Sequence, residues 1–338
     1  MSRPPSLSAP PGSPPLGTPL ESRPAALAVP SQPQSGDPPP PATPPVRWTV
    51  LEIVRWTTAR FSQRGLASPR LDAEILAAHA LGISRVQLYV QYDRPLEAAE
   101  LAGMRELVKR RQAGESVAYI IGKKEFFGIE LAVDARVLVP RPDTETLVDE
   151  ALARLAAVVE PPPTLRVADV GTGSGAVAIA IAKTGLRGPA ETRPALEVVA
   201  SDISPDALAV ARANAERCGA AITFIEGDLA APLAAPAPFD VIAANLPYIA
   251  SADIDGLAPE VRAEPRLALD GGADGLLLVR RLVAAAPALL RAGGALALEI
   301  GAGQAAATAD LLAAAGFTDI RRRRDLGEIE RVVSGVKP

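Results

Sequence analysis

The chain has 338 residues, 48% hydrophobic and 22% charged, with a net charge of −4; a sizeable core can be buried, and broad electrostatic capture of nucleic acid is disfavoured. A single cysteine, Cys218, excludes an internal disulfide framework and fits a reducing, cytoplasmic setting, while a single histidine, His79, leaves no histidine-based triad or multi-histidine metal site. No apolar run reaches a membrane span, because Arg280 and Arg281 interrupt "LLLVRRLVAAAPALL", and the first residues lack the pattern of a secretory signal.

Residues 1–45 hold sixteen prolines among Ser, Gly and Ala. Such a segment cannot bury enough surface to offset its chain entropy, so a disordered leader is expected there, although a misassigned start would read the same way. Residues 46–115 read as a small helical domain. "VRWTVLEIVRWTTARFSQRG" sets Val50, Leu51, Ile53, Val54 and Phe61 close to a helical period. "SPRLDAEILAAHALG" offers Ser68 as N-cap, Pro69 at the first helical position and Gly82 past the end. "SRVQLYVQY" is a shorter helix, and "LEAAELAGMRELVKRRQAG" a longer one closed by Gly114. This region carries net positive charge and residues 116–338 net negative charge, so it is a candidate docking surface as well as a set of solvated faces.

Residues 116–142 read as a linking β-hairpin, with Phe126, Phe127, Ile129, Leu131 and Val133 around Gly128. From 143 to 338 the pattern is a helix, "TETLVDEALARLAAVV", with Thr144 placed to cap it, and then alternation. The strands are "LRVADV", "LEVVASD", "ITFIEGD", "FDVIAAN", "ALALEIG" and a terminal pair, "TDIRRRRDL" and "IERVVSG". Between them lie the helices "GAVAIAIAKT", "SPDALAVARANAERCG", "GLLLVRRLVAAAPALLRAGG" and "GQAAATADLLAAAG". Alternation of this kind implies an α/β fold with a mostly parallel sheet and helices on both faces.

"VADVGTGSGAVAIAIA" runs from strand through a glycine-rich turn into a helix. Gly171, Gly173 and Gly175 permit a tight turn and close approach of a ligand, and the helix start favours a polar or anionic group. Such a turn alone is a weak signal, since it also satisfies a dinucleotide pattern. Asp202 ends the second strand of the alternating series, where its carboxylate can accept from both hydroxyls of a ribose. Asp228 ends the third, at a position suited to an adenine ring. Both lie at carboxyl ends of strands, where open α/β sheets bind ligands. NAD stays possible on these residues, but no hydride-transfer acid or base accompanies them.

The fourth strand ends in "AANLPYIA". Asn and Pro punctuate strand ends and Tyr covers core edges, so the tetrapeptide "NLPY" has a bland explanation. In company with Asp169 to Ala176, Asp202 and Asp228, however, it resembles the class I S-adenosylmethionine-dependent methyltransferases. With "AYIIGKKEFFGIEL", "VLVPRPDTETLVDEAL", "EVRAEPRLALDGGADGL" and "LEIGAGQ", residues 47–335 resemble more closely the PrmC/HemK family, glutamine-N5 methyltransferases of peptide chain release factors.

The resemblance implies a Rossmann-like, mostly parallel seven-stranded sheet, S-adenosyl-L-methionine as cofactor and release factors as substrate, with no membrane and no direct nucleic-acid binding. It implies cofactor contacts from Asp169, Gly171, Thr172, Gly173, Ser174, Gly175, Asp202, Asp228, Leu229 and Asn245. Asn245, Leu246, Pro247 and Tyr248 are implied to be the catalytic segment. A glutamine amide is a poor nucleophile, so orientation is the main requirement. The Asn245 side-chain oxygen and the Leu246 carbonyl can each accept one amide hydrogen, Pro247 stiffens the turn, and Tyr248 offers a flat face. The family commonly has Pro where this chain has Leu246. That departure raises one alternative, the adenine-N6 methyltransferases of ribosomal RNA, where "NLPY" also occurs; the related ribosomal-protein glutamine methyltransferases, which share the tetrapeptide, are a second. "PRPDTE" (Pro140 to Glu145) is expected either to border the site mouth or to be a rigid interdomain turn; Glu299 could be structural, and "RRRR" at 321–324 a solvated strand and loop. A degenerate fold serving only as a binding module is a further, non-enzymatic reading.

Overall fold

The helical periodicity of residues 50–112 is realised in a computed structural model that describes residues 48–186, 194–233 and 238–338; the expected leader at 1–45 lies outside the described residues. Helices α1 (Val50–Gln63), α2 (Pro69–Leu81), α3 (Arg85–Val90), α4 (Ala98–Gln112) and α5 (Val117–Ile121) bury Phe61, Leu76, Leu88, Met104 and Val108 against one another. Thr49 starts α1 with a reciprocal capping box to Glu52, and Gly82 ends α2 in the left-handed region (φ 63°). Ser68, expected to cap α2 through its hydroxyl, makes no such bond; Pro69 at the first position has already removed one of the free amides. The single turn α5, capped by Ser116, was not foreseen in a stretch read as extended.

Strands β1 (Lys123–Phe126) and β2 (Ile129–Ala132) pair antiparallel around Phe127 and Gly128, which hold φ of 52° and 72°. Two left-handed residues are what a type I′ hairpin turn demands. The hairpin docks on the rest through Asn214, whose amide bonds the Ala132 amide and carbonyl at 2.8 and 3.0 Å.

The remaining elements are α6 (Glu145–Ala156), β3 (Thr164–Val170), α7 (Ala176–Thr184), β4 (Ala195–Asp202), α8 (Pro205–Cys218), β5 (Thr223–Glu226), β6 (Phe239–Asn245), α9 (Pro259–Arg262), α10 (Leu277–Leu289), β7 (Leu290–Glu299), α11 (Ala305–Ala314), β8 (Thr318–Arg324) and β9 (Glu330–Val336). They build a seven-stranded sheet in the order β5-β4-β3-β6-β7-β9-β8, with β9 antiparallel to both β7 and β8 and the other pairs parallel. Alternate residues of the central strands serve opposite faces: Val241 and Ala243 pack with α6 and α7, Ile242 and Ala244 with α10 and α11. Chain order reverses between β3 and β6, and ligands bind at such a switch point in open α/β sheets.

One boundary differs from expectation. The helix read through Gly294 stops at Leu289, and β7 begins at Leu290, which pairs with Phe239 ahead of a register shift. The apolar run "ALL" suits helix and buried strand alike, so periodicity does not separate them. Among the described residues, no helix is long and apolar enough to cross a membrane.

Candidate active site

At the carboxyl edge of β3 and β4 the chain builds a loop by backbone geometry. Gly171, Gly173 and Gly175 hold φ of 74°, 55° and 83°. A methyl at Gly171 would sit 3.2 Å from Leu246 Cδ2, and one at Gly175 would sit 3.2 Å from Ala211 Cβ on α8, so neither position admits a side chain without displacement. The amides of Gly171 and Thr172 donate to the Ser201 carbonyl at 2.8 and 3.0 Å, which ties the loop to the end of β4. Asp169 fastens it from below: one oxygen, Oδ2, accepts the Thr172 hydroxyl at 2.6 Å and the Ala178 amide at 3.1 Å. Burial pushes the Asp169 carboxyl up to about 6, against the two hydrogen bonds that pull it down.

Asp202 closes the next side. Its Oδ2 accepts the Gly173 amide at 2.8 Å and its Oδ1 the Ser204 amide at 2.9 Å, so each oxygen keeps a lone pair for a ligand hydroxyl. Asp228 lies two residues beyond β5 and meets Arg281 of α10 at 2.6 Å across the rim. Leu229 beside it is a non-glycine residue in the left-handed region (φ 49°). These groups border a cavity of about 290 Å³ that also reaches Pro140, Thr144, Asn245, Leu246 and Pro247.

Asn245 ends β6 directly opposite Glu299 of β7. Its Nδ2 donates to the Thr144 hydroxyl at 3.2 Å. No described residue donates to its Oδ1 or to the Leu246 carbonyl, and both residues line the cavity. The following backbone is held from outside. Ile249 forms a bridge with Asp270, the Gln304 Nε2 donates to the Tyr248 carbonyl at 3.0 Å, and the Gly271 amide donates to the Ile249 carbonyl at 2.8 Å.

Of the residues expected at the site, Asp169, Gly171, Thr172, Gly173, Ser174, Asp202, Asp228, Leu229, Asn245, Leu246 and Pro247 surround one cavity. Gly175 and Tyr248 do not line it. Gly175 faces α8, and the Tyr248 ring packs against Gly301, where a methyl would come 3.2 Å from Cδ2. Burial pushes the Tyr248 phenol up to about 12. Thr144, expected to cap α6, makes no capping bond; its hydroxyl faces Asn245 and Glu299 instead. "PRPDTE" does border the mouth through Pro140 and Thr144. It is also a tie: Arg141 pairs with buried Glu264 at 2.6 Å, Asp143 with Arg331 at 3.3 Å, and Glu145 accepts the Phe127 amide at 2.9 Å. Arg281, Gly275 and Gln304 were missed; the latter two stand inside "DGGADGL" and "LEIGAGQ", whose specificity as motifs was the available signal.

A family model described as the PrmC N-terminal domain matches residues 52–122, and one described as a methyltransferase domain matches residues 167–263. The release factor glutamine methyltransferase of Geobacter sulfurreducens is 44% identical over 292 residues, 86% of this chain and 98% of the relative. The chain belongs to the release factor glutamine methyltransferase family. The enzyme of that name from Burkholderia pseudomallei is 45% identical over 280 residues, 80% of this chain and 94% of that relative. The solved structure of the release factor-specific protein-(glutamine-N5) methyltransferase of Alicyclobacillus acidocaldarius is 31% identical, covering 59% of this chain and 95% of that one with a TM-score of 0.35.

The cavity fits the family's cofactor, S-adenosylmethionine. A side-chain-free cradle leaves room for close backbone approach, Asp202 retains acceptor capacity for vicinal hydroxyls, and Asp228 supplies a second carboxylate further along the rim.

Proposed function

We propose that this protein is a cytoplasmic enzyme that methylates the N5 nitrogen of the glutamine in the Gly-Gly-Gln motif of peptide chain release factors, using S-adenosylmethionine. The reading rests on 44% identity across 98% of a release factor glutamine methyltransferase, with Asn245 and Leu246 lining one cavity and no described residue donating to the Asn245 Oδ1 or the Leu246 carbonyl.

In this reading the loop from Gly171 to Gly175 cradles the cofactor, with Asp169 bracing the loop, Asp202 accepting from the ribose and Asp228 and Leu229 at the adenine. Bound cofactor supplies an electrophilic methyl on a sulfonium. The chain's contribution is orientation. Asn245 Oδ1 and the Leu246 carbonyl each accept one hydrogen of the acceptor NH2, which fixes the nitrogen and favours the positive charge that develops on it. Pro247 limits Leu246 to extended backbone and keeps that carbonyl aimed. Holding two reactants in attacking geometry is worth roughly 7–11 kcal/mol, so no strong base is required. Tyr248 anchors the turn from its outer side. Residues 46–115 act as the docking region and 143–338 as the catalytic domain, with 116–142 linking them; direct nucleic-acid binding has no part in this scheme.

The test offers the protein labelled S-adenosylmethionine with a bacterial release factor, ribosomal protein and ribosomal RNA together. One added methyl on the Gly-Gly-Gln glutamine, located by mass spectrometry and lost when that glutamine is replaced, is expected. Label confined to RNA would replace this reading with adenine-N6 methylation, and label confined to ribosomal protein would move the substrate.

A further inference from the structure

The Asn245 side chain poses a problem that shape cannot solve. Turning an asparagine amide by half a turn exchanges oxygen and nitrogen with almost no change in volume, so only hydrogen bonding selects one orientation. The orientation matters: Oδ1 toward the cavity accepts an NH2 group, whereas Nδ2 there would set donor against donor.

We propose that Glu299, through the Thr144 hydroxyl, dictates which end of the Asn245 amide faces the cavity and so is a positioning residue for the acceptor. This rests on the acceptor role proposed above for Asn245. Thr144 is 4% exposed and Glu299 1% exposed, so both groups are buried at the cavity wall or behind it. The Thr144 hydroxyl accepts from Asn245 Nδ2 at 3.2 Å and stands beside the Glu299 carboxylate, which lies directly across the strand pair from Asn245 and whose charged form the hydroxyl favours. A hydroxyl has one proton to give. An ionised Glu299 can only accept, so it claims that proton, and Thr144 is left able only to accept from Asn245. Nδ2 is then the end that turns to Thr144, and Oδ1 is left for the cavity. A protonated Glu299 can donate to Thr144 instead, which frees the hydroxyl to donate to Oδ1 and removes the selection.

Glu299 is otherwise hard to account for. Its Oε2 is buried without a hydrogen-bond partner, an arrangement that costs about 1–3 kcal/mol or more for a charged group. The charged and titratable groups facing it are Arg141 and Asp143 from the segment before α6, Arg331 from β9 and Tyr248 from the loop after β6. Burial dominates and pushes its carboxyl up to about 7, opposed by the Thr144 hydroxyl and by both arginines. The selecting, ionised state is therefore gained as pH rises through about 7.

The experiment measures methylation of whole release factor by the full-length enzyme between about pH 6 and 8.5, with S-adenosylmethionine affinity and melting temperature for each variant. Wild-type kcat is expected to fall as pH drops through about 7. Glu299→Gln presents an amide donor to Thr144, imitating the protonated state; kcat at high pH should fall to the plateau that wild type reaches at low pH, at least about 2-fold lower, with no acid limb. Thr144→Val should match it, and Thr144→Ser, which keeps the hydroxyl, should restore most of kcat. Cofactor affinity should stay within a few-fold throughout. Wild-type-like kcat and acid limb in Glu299→Gln would overturn the relay while leaving the substrate assignment standing. So would a folded Thr144→Ser as poor as Thr144→Val, or losses of kcat matched by equal losses of cofactor affinity. A wild-type enzyme that leaves the factor unmethylated would instead overturn the substrate assignment, and the relay with it.

Discussion

Gln304 holds the carbonyl of Tyr248 at 3.0 Å, and its own Oε1 accepts the Gly301 amide at 2.9 Å, so one side chain spans the turns after β6 and β7. Gly275 sits in the angle of that clamp. A methyl there would fall 2.1 Å from the Tyr248 carbonyl oxygen and 2.6 Å from Gln304 Nε2, with the backbone at φ 75°. Backbone blocks the space, so the clamp must open for any side chain.

Gly275→Ala should therefore abolish most methyl transfer by shifting the Asn245–Tyr248 segment, while S-adenosylmethionine still binds. A left-handed alanine costs about 1–2 kcal/mol before the collision is counted, and each kcal/mol lowers the melting temperature by roughly 2–4 °C in a domain of this size. Calorimetry and a methylation assay check both halves; full turnover at an unchanged melting temperature would show that the clamp does not aim the segment.

This clamp marks where sequence reasoning stopped. Strand alternation, the glycine turn, Asp202, Asp228 and "NLPY" are carried by local periodicity and by motifs that stand at strand ends, so they were legible. Gln304 and Tyr248 are 56 residues apart, and Thr144 and Asn245 are 101 apart. No periodicity encodes such pairs. Thr144 shows the failure in miniature: a threonine before a helix reads as a cap, and here tertiary partners have claimed its hydroxyl. Tyr248 fails in the opposite direction, because a motif specifies which residues occur together and not which way each ring turns.

The underside of the sheet carries a separate stability element. Arg154 of α6 is 3% exposed at its side chain and bonds the fully buried Glu150 at 2.8 Å, with Asp319 at 2.6 Å and Ser334 at 2.7 Å completing its shell. Arg154→Ala strands the Glu150 carboxylate beside only Ser334 and Arg323, and unfolding by urea should report a loss of about 3–5 kcal/mol. Replacing both members, as Glu150→Leu with Arg154→Met, should recover much of it. A single mutant within 1 kcal/mol of wild type would refute the accounting, on the same scale.

Asp169 makes a pH-dependent contribution whose sign is fixed. Its carboxyl is raised from an ordinary 3.8 to about 6, so the folded protein holds a proton that the unfolded chain has released. Its contribution to stability is complete at low pH and is lost as pH rises through that window, by up to about 3 kcal/mol. Asp169→Asn keeps an oxygen for Thr172 and Ala178 and cannot ionise. The difference in stability between variant and wild type should thus grow in the variant's favour between about pH 4 and 6 and level off above it. A difference independent of pH would mean that Asp169 is ionised at no unusual cost.

The sharpest division of labour lies between Asp202 and Asn245, which face the same cavity from β4 and β6. Asp202 holds the glycine loop through the Gly173 and Ser204 amides and still has lone pairs for a ligand. Asp202→Ala removes charge-assisted bonds worth about 1.5–3 kcal/mol, so S-adenosylmethionine affinity should fall by about 10–100-fold. Asn245→Ala leaves that loop intact and takes away one of two acceptors for the target amide. Its cofactor affinity should stay within a few-fold of wild type while kcat drops by about 100-fold or more, as when a group that stabilises developing charge is deleted. Titration calorimetry and single-turnover methylation separate the two effects. If Asn245→Ala lost cofactor affinity as heavily as Asp202→Ala, the side chain would belong to the donor site, and the Leu246 carbonyl would be left to orient the acceptor alone.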